Sequence, residues 1–236
     1  GRLPGWYLLI GVARYLFLAG IWLRRRRGLP VFELPPSIAR RVLAGFQMGF
    51  ISVVLWPLFS PPGTTLAGII FGGSILASFG RDWLVVSGRL DPASPAYLAA
   101  RQKFRHYGAG WLPLLLRGGV VLVTLFYLFP IVFDSAARRS LLLWPGSPWP
   151  TFTADALGLL AVVAAGLLAL GVLGRLAALG MLAPTVMTML AGGLHLQNGL
   201  LLVGTVTIML LGSGYWSLWQ PEEELVRLRA GERPKG

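Results

Sequence analysis

The chain has 236 residues, of which 55% are hydrophobic and only 13% charged, and its mean hydropathy is +0.68. That is about half the charge of an ordinary soluble domain, too little to cover an aqueous surface, and it excludes a soluble enzyme domain, a disordered tail and a disulfide scaffold. The absence of cysteine excludes thiol catalysis, disulfides and thiolate metal sites. The net charge of +12 lies between apolar runs, so anionic lipid headgroups, and not nucleic acid, are the expected partner.

Crossing about 30 Å of hydrocarbon takes about 20 apolar residues. Seven stretches qualify or come close: Trp6 to Leu23, Val42 to Phe59, Thr64 to Gly80, Leu112 to Phe133, Leu157 to Leu173, Leu176 to Leu194, and Gly199 to Trp216. Ser60-Pro61-Pro62-Gly63 reads as a tight turn between the second and third, and the fifth and sixth nearly fuse around Gly174-Arg175. No alternating strand pattern appears, and an open sheet in lipid would leave its edges unpaired. The expected fold is therefore an all-α polytopic membrane protein with about seven transmembrane helices, multi-pass in the cell membrane.

Basic residues set the orientation. Arg24 to Arg27, Arg40, Arg41, Arg81, Arg89, Arg101, Lys103, Arg105, Arg175, Arg227, Arg229, Arg233 and Lys235 fall on one side. Arg2, Arg138 and Arg139 fall on the other, a split of sixteen to three that alternates with seven crossings. The positive-inside rule then places the N-terminus outside and the C-terminus in the cytoplasm. Most tryptophans lie near span ends, as an interfacial belt requires, and Trp144 and Trp149 flank an outer loop. The first residue is glycine, and no signal peptide is visible. An outside N-terminus without one fits a chain preceded by an odd number of further spans.

The expected organisation is a three-span unit over residues 1–88, a polar cytoplasmic linker over 89–110, a four-helix module over 111–219 and a polar cytoplasmic tail over 220–236. Arg14 lies near the middle of the first span, where arginine costs about 2.5–3.5 kcal/mol on insertion scales. Ten positions separate it from Arg24, about 15 Å of helix, too far for easy snorkelling, so a buried polar or lipid-phosphate role is expected. Arg40 and Arg41, with Gln47, open the second span; arginine grips phosphate bidentately, and a helix start offers free N–H groups. Ordinary topogenic charge explains that pair equally well.

Gly45 and Gly49, and Gly68 and Gly72, form small-residue pairs that let helices approach. Arg117, one to two turns inside its span, is accounted for by snorkelling. His195 reads as a hydrogen-bonded turn residue, and Asp155 as the cap of the fifth span. Of the acids near the arginines, Glu33 lies in a loop and Asp82 at the end of another span, and neither is expected to compensate them. The four aspartates, Asp82, Asp91, Asp134 and Asp155, divide between the two sides. No metal site, cofactor or catalytic residue is therefore assigned.

Leu3-Pro4-Gly5-Trp6 through Ala13-Arg14-Tyr15, followed by Pro36-Ser37-Ile38-Ala39-Arg40-Arg41-Val42-Leu43-Ala44-Gly45-Phe46-Gln47-Met48, resembles the C-terminal half of CDP-alcohol phosphatidyltransferases of the phosphatidylglycerophosphate synthase type. The resemblance covers about 90 residues. It implies that Arg14, Arg40 and Arg41 line a cytoplasm-facing pocket for a phosphate-bearing group. The family's Asp-Gly-x-x-Ala-Arg signature, which binds the metal and the CDP-lipid, is missing, and the chain contains no Asp-Gly pair.

Leu116-Arg117-Gly118-Gly119, Gly174-Arg175-Leu176-Ala177-Ala178, Asn198-Gly199-Leu200-Leu201 and Gly212-Ser213-Gly214-Tyr215-Trp216-Ser217-Leu218-Trp219 make the second half similar to DoxX-type four-helix membrane modules. Together the resemblances imply a non-catalytic, lipid-binding or structural subunit of a larger respiratory or photosynthetic membrane complex, with other membrane subunits as partners. The alternative is the C-terminal part of an active phosphatidyltransferase whose catalytic half lies upstream.

Overall fold

The computed structural model describes residues 3–35, 37–56, 59–142 and 148–224. It is 79% helical, and among the described residues the only strand-like pairing is one bridge between Val172 and Trp219. Among the described residues, five helices are long and apolar enough to cross a membrane: Gly5–Arg26, Gly63–Val86, Pro95–Phe133, Pro150–Leu170 and Gly174–Gly192. The chain is thus an all-α membrane protein. Trp144, Arg2, and the tail residues Arg227, Arg229, Arg233 and Lys235, on which part of the orientation argument rests, lie outside the described residues.

Two compact units divide the chain, Gly1–Arg105 and His106–Leu225. The boundary falls inside the segment read as a linker, and that segment is helical from Pro95 onward.

In the first unit, a short 3-10 turn (Gly5–Tyr7) leads into α1 (Leu8–Arg26), followed by α2 (Ile38–Val54), α3 (Gly63–Val86) and α4 (Pro95–Lys103). Helices α1 and α2 each pack on α3. Gly68 and Gly72 on α3, like Gly20 on α1 against the Trp83 ring, are close-approach points. A Cβ at Gly72 would lie 2.6 Å from Ile10 Cδ1 and 3.0 Å from the Trp6 ring, and one at Gly68 3.1 Å from Leu3 Cδ2. At Gly45 and Gly49 the same atom would meet nothing within 4 Å among the described residues. Helix α2 begins four residues before the expected Val42, which puts Arg40 and Arg41 in its first turn.

In the second unit, a π-helical stretch (Phe104–Trp111, entered at His106) runs into α5 (Leu112–Val123), a second π-helical stretch (Thr124–Leu128) and α6 (Phe129–Phe133). Then come α7 (Ser135–Leu141), α8 (Pro150–Leu170), α9 (Gly174–Gly192) and α10 (Leu196–Leu211). Packing of α5 on α8, α8 on α9, α9 on α10 and α10 on α5 closes a four-helix ring, the bundle arrangement expected of four consecutive apolar helices with short links.

Proline at the start lets α8 begin at Pro150, seven residues before the expected Leu157. Asp155 therefore lies in the second turn and is not the cap; it pairs with Arg138 at 2.8 Å. The break between α8 and α9 comes at Gly171, whose φ of 66° is left-handed and suits glycine at a helix C-terminus. His195 does cap α10: its backbone N–H donates to Asn198 Oδ1 at 2.8 Å, and Asn198 Nδ2 donates to the Gly193 carbonyl at 2.8 Å.

Candidate functional site

Arginines gather at one end of each unit. In the first, the C-terminal ends of α1 and α3 and the start of α2 come together. Arg24 Nη2 donates to the Pro30 carbonyl at 2.9 Å and the Ser87 carbonyl at 3.1 Å, and the Phe32 N–H donates to the Val86 carbonyl at 3.2 Å. Beneath them Asp82, only 4% exposed, is shared by two guanidiniums: Arg40 Nη1 lies 3.2 Å from Oδ2 and Arg81 Nη1 3.1 Å from Oδ1. Arg40 also donates to the Pro35 carbonyl, and Arg81 donates twice to the Tyr97 hydroxyl, at 3.0 and 2.7 Å.

One carboxylate thus faces two cations, each about one-third exposed, and positive charge is left over. Arg41 lies exposed beside them. The N-terminus of α2 carries no side-chain cap from Ser37, so its N–H groups add to the positive field. The sequence gives no reason to count Asp82 as a compensating acid, but it is Arg40's partner. The 42-residue separation hides the pairing; only the burial of an aspartate at the end of an apolar helix hints at it.

Arg14 is not drawn into this cluster by any bond. It sits on the exposed face of α1 with no hydrogen bond or ion pair among the described residues. Gln47, by contrast, is buried: its Nε2 donates to the Tyr7 hydroxyl at 2.6 Å, while its Oε1 has no partner among the described residues. Gln47 therefore ties α2 to the turn before α1.

In the second unit Arg117 departs from the snorkelling expected of it. It is 3% exposed. Nε donates to the Leu168 carbonyl at 2.8 Å and Nη2 to the Ala169 carbonyl at 3.2 Å. Nη1 donates to the Ser213 carbonyl at 2.9 Å, the Tyr215 carbonyl at 3.1 Å and Ser217 Oγ at 2.8 Å. The acceptors are the end of α8 and the segment after α10, where carbonyls lack helical partners and the dipole is negative. These carbonyls stand in for a counter-ion.

Arg175 is the second buried guanidinium. Nε lies 2.7 Å from Glu223 Oε1 and Nη2 3.3 Å from Oε2, and Nη1 donates to the Met209 and Leu210 carbonyls. Its own N–H, at the start of α9, donates to Glu222 Oε1 at 3.3 Å.

Among the described residues no group of three or more His, Asp or Glu could hold a metal ion. No family model, curated protein or solved structure matches the chain.

Proposed function

We propose that the chain is a non-catalytic, multi-pass membrane subunit that binds an anionic phospholipid at the start of α2, within a larger respiratory or photosynthetic complex. The observation that carries this reading is the sharing of Asp82 by Arg40 and Arg81, which leaves surplus positive charge beside the uncapped end of α2. Arg40 and Arg41 hold the lipid phosphate in this reading, and Arg14 lies deeper in the bilayer along α1. Each charge-assisted contact contributes about 1.5–3 kcal/mol.

In the same reading the chain crosses the bilayer seven times. Helices α2 and α10, of 17 and 16 residues, supply the two spans beyond the five long ones. The N-terminus is outside, and the arginine end of each unit faces the cytoplasm, supported by the sixteen-to-three charge split. The resemblances to CDP-alcohol phosphatidyltransferases and to DoxX-type modules supply the two-part organisation.

The test is lipid mass spectrometry on the purified chain. Replacing Arg40 and Arg41 together with alanine is expected to lower co-purified phosphatidylglycerol while helicity is retained. Unchanged lipid content in a folded variant leaves only topogenic charge. The chain alone is also expected to release no CMP from CDP-diacylglycerol with Mg²⁺ and any acceptor alcohol, and metal-dependent turnover would overturn the non-catalytic reading.

The second reading, part of a phosphatidyltransferase, is favoured by the unpartnered Arg14 and the open flank at Gly45 and Gly49. Both are surfaces that further helices could cover. It predicts turnover only when helices bearing an Asp-Gly-x-x-Ala-Arg segment are supplied.

A further inference from the structure

Residues 212–220 form a strap across one end of the four-helix ring, and its two sides differ in chemistry. The inner side is polar and held by several hydrogen bonds, although the buried Ser213 hydroxyl has no partner among the described residues. The Tyr215 N–H donates to the Gly110 carbonyl at 3.1 Å, the Leu218 N–H to the Leu170 carbonyl at 3.3 Å, and the Leu173 N–H to the Trp219 carbonyl at 3.1 Å. Arg117 holds the Ser213 and Tyr215 carbonyls from below, and the Tyr215 hydroxyl lies 3.0 Å from His106 Nδ1.

The outer side is apolar and uncovered. Trp216 is 79% exposed, Leu218 73% and Trp219 59%. Trp216 also holds a φ of +53°, a left-handed conformation unfavourable for a bulky residue. Its ring makes an edge contact with Trp111, at 6.2 Å between centroids. The internal hydrogen bonds on either side of it hold this conformation, and it turns the indole away from the bundle.

We infer that the strap is an interfacial membrane anchor, with Trp216, Leu218 and Trp219 seated at the boundary between headgroups and acyl chains. The occupant follows from position and chemistry. The strap continues from the end of α10 and pairs with the link leaving α8, a 21-residue apolar helix of membrane-spanning length. Indoles favour the boundary layer, where the ring is in apolar surroundings and the N–H reaches headgroups. This anchor is independent of the phospholipid site on α2 and stands if that site fails.

The chain contains no cysteine, so a single introduced thiol can be labelled cleanly. Leu218→Cys and the loop control Ala93→Cys, each carrying a nitroxide, are reconstituted in phosphatidylcholine–phosphatidylglycerol vesicles. Collision rates with oxygen and with a water-soluble nickel chelate are then compared. A several-fold higher oxygen-to-nickel ratio at position 218 than at 93 is expected. Equal ratios mean that the strap faces water, and exclusion of both reagents means that protein covers it; either result overturns the anchor.

If Leu218→Cys does not fold, Trp216→Phe serves. The emission lost with this indole must be quenched by phospholipids brominated high on the acyl chain, and absence of quenching overturns the inference equally.

Discussion

Arg175 and Glu223 meet side-on across 48 residues, Nε to Oε1 at 2.7 Å and Nη2 to Oε2 at 3.3 Å. The pair ties the start of α9 to the segment beyond the strap, and the same guanidinium reaches the Met209 and Leu210 carbonyls at the end of α10. Glu223→Gln keeps the shape and removes the charge. The expected loss is about 1–3 kcal/mol, read as a lower unfolding midpoint in detergent. A midpoint unchanged from the parent would mean that the two carbonyls alone suffice for Arg175.

Arg117 holds carbonyls from two segments at once, which requires the fork of a guanidinium. Arg117→Lys, with a single ammonium, cannot reach both sets. At about 1–3 kcal/mol for each buried carbonyl left without a donor, the loss is expected to exceed about 3 kcal/mol, and Arg117→Met is expected to behave similarly. Were Arg117 snorkelling instead, lysine would substitute with no change in the midpoint.

The two glycine pairs are expected to answer oppositely to alanine. Gly72→Ala forces the new methyl against Ile10 and the Trp6 ring and is expected to destabilise by about 1–3 kcal/mol. Gly49→Ala meets open space and gains up to about 1 kcal/mol from helix propensity. The comparison is between unfolding midpoints of the two single variants. A destabilised Gly49→Ala would reveal a helix packed on α2.

The proposed topology is tested at two exposed positions, Ala93 and Ala136, which it puts on opposite sides. Ala93→Cys is expected to react with an impermeant maleimide only from the cytoplasmic face, and Ala136→Cys, on α7, only from the outer face. The reverse pattern, or both on one side, removes the seven-span arrangement.

Apolar run length located every long helix, because crossing hydrocarbon constrains composition more strongly than any tertiary contact does. It misplaced ends where local chemistry decides. Pro150 starts α8 seven residues early, and Gly171 stops it three residues short. The fates of the arginines were not legible. Whether Arg117 snorkels or is buried depends on carbonyls 51 to 98 residues away, and Arg40's carboxylate is 42 away. The glycines of the strap region, Gly171, Gly212 and Gly214, all with positive φ, were the available signal that chain reversals crowd around Arg117.

The long reach of Arg117 sets an order of events during synthesis. Its acceptors at Ser213 and Ser217 are made 96 and 100 residues after it. At about 5–20 residues per second this is a delay of roughly 5–20 seconds. Through that interval the guanidinium sits on a newly inserted helix with its donors only partly answered. The end of the four-helix ring can therefore close around Arg117 only after the strap has been made.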